Sequence, residues 1–258
     1  MGLVRTILTG VLSAATSIAL AYTLFGLGFV ACTTPQATAA VGGTFAGWEN
    51  SVFPKEDMAN IAEATRAFSI EGASTDELSQ AIYAALEDAK PELAAAFAAS
   101  GLGGSNDSAD AKTATALNAL SDRYTLPENA LSHLQDCTPI FTTGRISVGV
   151  VGGFALIGLV ALGILSGRKS AGRALKAGAA IVIAVILALA AWAALDFNGL
   201  FTWMHHMLFA QGNWTFPASS LLIQLFPEAF WAAMAGLWII CSLAAAALCG
   251  LAGKIIAH

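Results

Sequence analysis

The sequence predicts an all-α, polytopic membrane protein: four transmembrane helices, with a helical extracytoplasmic domain between the first and the second. Three observations predict it. Of 258 residues 57% are hydrophobic and only 11% charged, against roughly a quarter charged in a soluble domain. The acidic residues are sorted: they run from Glu49 to Asp136, with only Asp196 and Glu228 beyond. Four apolar runs, residues 6–31, 146–167, 177–195 and 229–253, reach the length of about 20 residues that a helix needs to cross hydrocarbon. Lipid offers no partner to a peptide group and each run is far longer than a barrel strand, so the spans are helices and a β-barrel is excluded.

The first run, with the residues before it, makes residues 1–31 a transmembrane helix. It is about twice the usual 7–15 residues of a signal-peptide core. It is therefore expected to stay as a membrane anchor although Phe29-Val30-Ala31-Cys32 loosely resembles a lipidation site.

Residues 32–145 form the long external domain. Pro54-Lys55-Glu56-Asp57 is a helix start with acids in the first turn, and Met58, Ile61, Ala62 and Thr65 follow at helical spacing. Ser74-Thr75-Asp76-Glu77 is a second start, a hydroxyl cap with Glu three residues on. Its apolar face is Leu78, Ile82, Ala85 and Leu86, and Pro91 ends it. Residues 98–112 turn to Gly, Ser, Asn and Asp, a loop composition. A third helix is expected from Ala114 to Tyr124, and Leu126-Pro127-Glu128 restarts a helix carrying His133 toward the second span.

Residues 146–167 and 177–195 are the second and third spans. Between them, residues 168–176 hold Arg168, Lys169, Arg173 and Lys176 without an acid, which marks a cytoplasmic loop. Arg5 and Lys254 agree, so both termini are expected in the cytoplasm and residues 32–145 and 196–228 outside. The last segment, 229–258, is the fourth span and the cytoplasmic end, with His258 set aside there. The net charge of −5 matters less than this distribution, and no nucleic-acid partner is expected.

Residues 196–228 are apolar and aromatic without being a span, which exceeds an interfacial aromatic belt. The second and third spans are joined by a short connection and must pack antiparallel, so their outer ends are neighbours. His133 can therefore meet His205 and His206. Near neutral pH an imidazole can both accept and donate a proton. Asp136, one turn after His133, is placed to orient that ring or stabilise its charged form. The same residue types suit zinc, but no metal-ligand spacing motif accompanies them. Cys32 and Cys137 both lie on the outer side, where a disulfide is allowed. Cys241 and Cys249 fall within the fourth span as small apolar residues. No G-x-S-x-G elbow is present, so a serine hydrolase has no support.

Two segments then carry a resemblance. The first is Leu131-Ser132-His133-Leu134-Gln135-Asp136. The second runs Leu200-Phe201, Met204-His205, Leu208-Phe209, Gly212-Asn213-Trp214-Thr215-Phe216, Ser220-Leu221-Leu222-Ile223, Leu225-Phe226-Pro227-Glu228, Phe230-Trp231. Together, in this order and topology, they resemble the bacterial lipoprotein intramolecular transacylase family, Lit. Cys137, where the family usually has Val, and the doubled His205-His206 are departures. Counting forward to Gly-Asn-Trp favours His205 as the family position.

The resemblance implies an acyltransferase that moves the sn-2 acyl chain of a lipoprotein's diacylglyceryl-cysteine to that cysteine's α-amine, giving the lyso form. It implies no cofactor, with membrane lipid and a diacylated lipoprotein as partners. His133 and His205 would be the catalytic general acid and base, and Asp136 would orient His133. Asn213 or the backbone amides of the Gly212-Asn213 turn would steady the oxyanion. His206, Trp214, Phe216 and Phe226 would contact substrate, and Arg145 a headgroup. A metal-dependent membrane hydrolase and a non-catalytic lipoprotein-binding protein stay open as alternatives at this point.

Overall fold

The computed structural model describes residues 2–99 and 122–257. In chain order its helices are α1 (Gly2–Cys32), α2 (Pro35–Phe45), α3 (Lys55–Arg66), α4 (Thr75–Ala89), α5 (Pro91–Ala99), α6 (Glu128–Ser166), α7 (Arg168–Leu195), α8 (Phe197–Leu208), α9 (Leu221–Leu225) and α10 (Glu228–Ala257). Among the described residues there is no strand. The loop expected over residues 98–112 lies outside the described residues, apart from Ala98 and Ala99 at the end of α5. So does the third external helix, except Asp122–Tyr124, which form a turn.

Four helices are long and apolar enough to cross a membrane, α1 from Val4, α6, α7 and α10, and the chain is a multi-pass membrane protein. α6 has 39 residues and is therefore about 58 Å long, nearly twice a hydrocarbon core. Its charged residues, Glu128, Asp136 and Arg145, all fall in the first half, whereas residues 146–166 carry none. Only that second half suits hydrocarbon, so the turn bearing His133 stands outside it.

The chain divides into two compact units. The first comprises residues 1–32, 143–202 and 235–258. Here α1 lies along α7, and Ala21, Leu24, Ala179, Val182, Ile186 and Ala246 form a shared core. Small residues permit the approach: a Cβ on Gly178 would come within 2.8 Å of the Leu20 Cβ, and one on Gly28 would collide with Ser242 and Trp238. Such close contact, rather than a hydrophobic driving force, holds helices together in lipid. Trp238 Nε1 and Ser242 Oγ both donate to the Phe25 carbonyl, at 2.8 and 3.2 Å. Ile157, Ile164, Leu187 and Leu248 point outward and exposed, the faces expected to meet lipid. Residues 168–176 are the first turns of α7 and not a loop; Lys, Arg and Ala are good helix formers, and Gly167 alone makes the turn, at φ 82°.

The second unit comprises residues 33–142 and 203–234. The two expected helix starts are both seen. α3 begins at Lys55, and Ser74 Oγ accepts from Glu77 N–H at the head of α4. The periodic residues Met58, Ile61, Ala62, Thr65, Leu78, Ile82, Ala85 and Leu86 are all buried. Thr34-Pro35, a hydroxyl N-cap followed by Pro in the first turn, starts α2. α3 runs into a π-helical turn, Ala67–Glu71, closed by Gly72 at φ 72°. Beside it the 97%-buried Arg66 guanidinium pairs with both oxygens of Glu63 and with Glu71, and donates to the Thr33 carbonyl. The π turn also presents the Phe68 carbonyl to Thr138 Oγ1 of α6, at 3.3 Å.

Candidate functional site

The site belongs to the second unit and combines the start of α6 with the end of α8 and the chain that follows it. α8 closes with Phe209 N–H donating to the His205 carbonyl, and Gly212, at φ 76°, turns the chain back. A glycine is needed there, because side-chain-bearing residues rarely adopt that backbone region.

Further along, the segment is stapled to the unit. Ser220 caps α9 by accepting from Ile223 N–H, and Leu221 N–H donates to the Asp122 carbonyl at 2.8 Å. Trp48 Nε1 donates to the Leu225 carbonyl, and Gln224 Oε1 accepts from Val52 N–H. Leu221, Leu222 and Leu225 are buried beneath. The aromatic segment is thus folded onto a core, not laid on its surface.

Within this frame the two histidines converge. The His133 ring lies 4.6 Å from the Phe209 ring centroid and His205 lies 5.7 Å from the same ring. His133 also packs on Phe216 at 5.6 Å, and His205 on Trp214 at 4.9 Å. His206 meets Trp214 edge-on at 5.2 Å and is exposed, whereas His133 and His205 are half-buried. One cage of three aromatic side chains, Phe209, Trp214 and Phe216, and three imidazoles results, with Phe209 as its centre. Phe226 belongs to a different cluster, with Phe230 at 5.0 Å and Trp231 at 6.1 Å.

Asp136 is held otherwise than its spacing from His133 suggests. Its Oδ2 accepts from Gln211 Nε2 at 2.6 Å and from Asn213 Nδ2 at 2.8 Å, and Asn213 Nδ2 also reaches Ser132 Oγ at 3.5 Å. The carboxylate ties the 211–213 turn to α6. Its effect on His133 is electrostatic, favouring the charged ring. Asn213 has its amide donors turned to Asp136 and Ser132, and Gly212 N–H donates to the Phe209 carbonyl. These two groups are therefore engaged within the turn and with α6. Gln211 drew no attention in the sequence, where a lone Gln after a helix has no signature.

His133 has its Nε2 4.0 Å from Cys137 Sγ. Its Nδ1 is buried and has no hydrogen-bond partner among the described residues; the same is true of Asn213 Oδ1. Burial pushes the His133 pKa below its ordinary value and the nearby His205 ring adds to this, while Asp136 and the Asn213 side chain oppose it. The ring is thus held neutral, ready to accept a proton. Burial, and then Asp136, push the Cys137 thiol up to about 12, so it is a neutral S–H and not a nucleophile. Cys137 is a free thiol, against the disulfide with Cys32 that the sequence allowed. Among the described residues no group of three or more His, Cys, Asp or Glu side chains is disposed to hold a metal ion. Arg145 is exposed and belongs to the first unit.

A half-buried neutral imidazole, a second imidazole on the same phenylalanine and a fixed carboxylate can accept a proton at one place and release it at another. Residues 109–231 match the family model of lipoprotein intramolecular transacylase Lit, a range that takes in both motifs of the resemblance. No curated protein matches the chain. In fold, the chain is similar to an in meso structure of the membrane integral lipoprotein intramolecular transacylase Lit from Bacillus cereus. That likeness has a TM-score of 0.69 at 15% identity and covers 97% of this chain and 96% of the other. A structure of the Bacillus cereus protein with a histidine-to-arginine mutation gives a TM-score of 0.53 at 17% identity, covering 98% and 93%.

Proposed function

We propose that this chain is a lipoprotein intramolecular transacylase, a reading supported by the match of residues 109–231 to the Lit family model. It moves the sn-2 acyl chain of a diacylglyceryl-cysteine onto the α-amine of the same cysteine. The observation that carries the reading is the pair of imidazoles, His133 and His205, packed against one ring, Phe209.

The chemistry follows from what each group can do. The amine nitrogen attacks the ester carbonyl carbon, a C–N bond forms, and the nitrogen loses its proton to the neutral His133. As the tetrahedral intermediate collapses the C–O bond to glycerol breaks, and the departing oxygen takes a proton from the charged form of His205. Asp136 steadies the imidazolium formed at His133. It also fixes Gln211 and Asn213, so that the turn leading to Trp214 keeps its place. Asn213 serves this positioning role through its side chain, and the backbone amides of the Gly212-Asn213 turn would steady the oxyanion.

Nucleophile and ester lie on one molecule, so the main task is to fold the substrate into a near-attack geometry, which can lower a barrier by about 7–11 kcal/mol in the best intramolecular cases. Trp214 and Phe216 would wall the reacting glyceryl group, with His206 at the rim. The cluster around Phe226 would hold an acyl chain, and Arg145 would meet a headgroup. The site would face the extracytoplasmic side, because Arg5, Arg168, Lys169, Arg173, Lys176 and Lys254 mark the opposite end as cytoplasmic.

The test is expression in a host that lacks the activity. Diacyl lipopeptides should become N-acylated at unchanged mass, which tandem mass spectrometry reads as a fragment carrying the acyl group on nitrogen. Persistence of a free, reagent-reactive α-amine in every lipopeptide would overturn the assignment.

A further inference from the structure

The first unit holds a second polar feature, independent of the transacylase reading. A cavity of about 370 Å³ lies between the first turns of α1, the last turn of α6 and the first turns of α7. Its walls carry hydroxyls and one cation, Thr6, Thr9 and Ser13 from α1, Ser166 from α6, Ser170 and Arg173 from α7, beside the apolar Leu162 and Ala177. Arg173 donates one N–H to Ser170 Oγ at 3.1 Å, which fixes the guanidinium at the wall and leaves its other N–H groups to a ligand. The Ser13 and Ser166 hydroxyls have no protein partner among the described residues. At the neighbouring wall Arg5 donates to the Leu165 carbonyl at 2.8 Å. α7 starts there after Gly167 without a side-chain cap, so its positive dipole end lies at the same place. Arg168, Lys169 and Lys176 add charge along the same turns, and the only acid in the unit is Asp196, at the far end of α7.

We propose that this cavity binds the phosphate-bearing headgroup of an anionic phospholipid. The ligand class follows from the lining. A guanidinium with hydroxyl donors matches phosphate oxygens, the surrounding charge is positive without a counter-charge, and the volume suits a glycerophosphate group. Its position favours lipid over free phosphate, since the walls are the ends of membrane-crossing helices, where headgroups lie.

Gly10 provides the decisive variant. It lines the cavity, and a Cβ built on it has nothing within 4 Å. Gly10→Leu therefore fills the space without touching any charge, and favours the helix. The full chain would be purified in detergent, mixed with phosphatidylglycerol or phosphatidylcholine, and examined by native mass spectrometry. Wild type and the charge-matched Lys176→Gln should each retain one phosphatidylglycerol in preference to phosphatidylcholine. Gly10→Leu and Arg173→Gln should each lower that retention at least tenfold. Retention unchanged in Gly10→Leu, or lost equally in Lys176→Gln and Arg173→Gln, would overturn the proposal in favour of diffuse charge attraction. Displacement of the lipid by millimolar inorganic phosphate would overturn the choice of lipid over free phosphate.

Discussion

Asp136→Asn changes one atom in shape and alters two things at the site. The carboxylate accepts from Gln211 and Asn213 at 2.6 and 2.8 Å, and a hydrogen bond to a charged group contributes about 1.5–3 kcal/mol. Asp136 is half-buried, which places each bond near the low end. The new amide oxygen can take the place of Oδ2 and accept from both neighbours, but each bond is then neutral and about half as strong. The expected loss of positioning is about 2 kcal/mol, which at 1.36 kcal/mol per decade is about 30-fold in kcat. The second effect is on pH. Asp136 raises the His133 pKa, so its removal lowers it. A rate that needs neutral His133 falls as pH drops through that pKa, and in Asp136→Asn the acid limb must therefore move to lower pH. The assay is initial conversion of a synthetic diacylglyceryl lipopeptide across pH 5–8, followed by tandem mass spectrometry. A merely structural Asp136 would lower the rate without moving the limb. An unmoved limb, or a rate equal to wild type, refutes the reasoning.

Other consequences concern neighbouring groups. With a pKa of about 12, Cys137 is expected to react with iodoacetamide at pH 8 about a thousandfold more slowly than an ordinary thiol, because only the thiolate reacts. Peptide mapping after timed alkylation measures this. Arg66→Met should destabilise the second unit by about 1–3 kcal/mol, since it removes the charge-assisted hydrogen bonds to Glu63 and Glu71, whose carboxylates stay about half exposed to solvent. A thermal melt unchanged from wild type would contradict that.

The four membrane helices were legible because lipid imposes one rule on every residue in them, and residues 146–166 obey it without exception. The amphipathic helices α3 and α4 were legible from Met58-Ile61-Ala62-Thr65 and Leu78-Ile82-Ala85-Leu86, where burial follows the helical period. The meeting of His133 with His205 followed from topology, since antiparallel spans put their ends together. The partners of Asp136 did not. Helical spacing measures proximity along one helix, whereas Gln211 and Asn213 arrive from 75 and 77 residues away. The Arg66 ion pairs and the π-helical turn were also hidden. An Arg amid a charged helix resembles any solvated residue until the π turn brings Glu71 back to it.

The central claim is that His133 and His205 act on one ester. Groups that work as a unit lose their joint effect when either is removed. Conversion should be measured for His133→Ala, His205→Ala and the double variant, with His206→Ala as the neighbouring control. The account predicts that each single variant loses about a thousandfold or more, that the double variant loses no more than the worse single, and that His206→Ala is mild. Multiplicative losses in the double variant, or equal loss at His206 with none at His205, would contradict it.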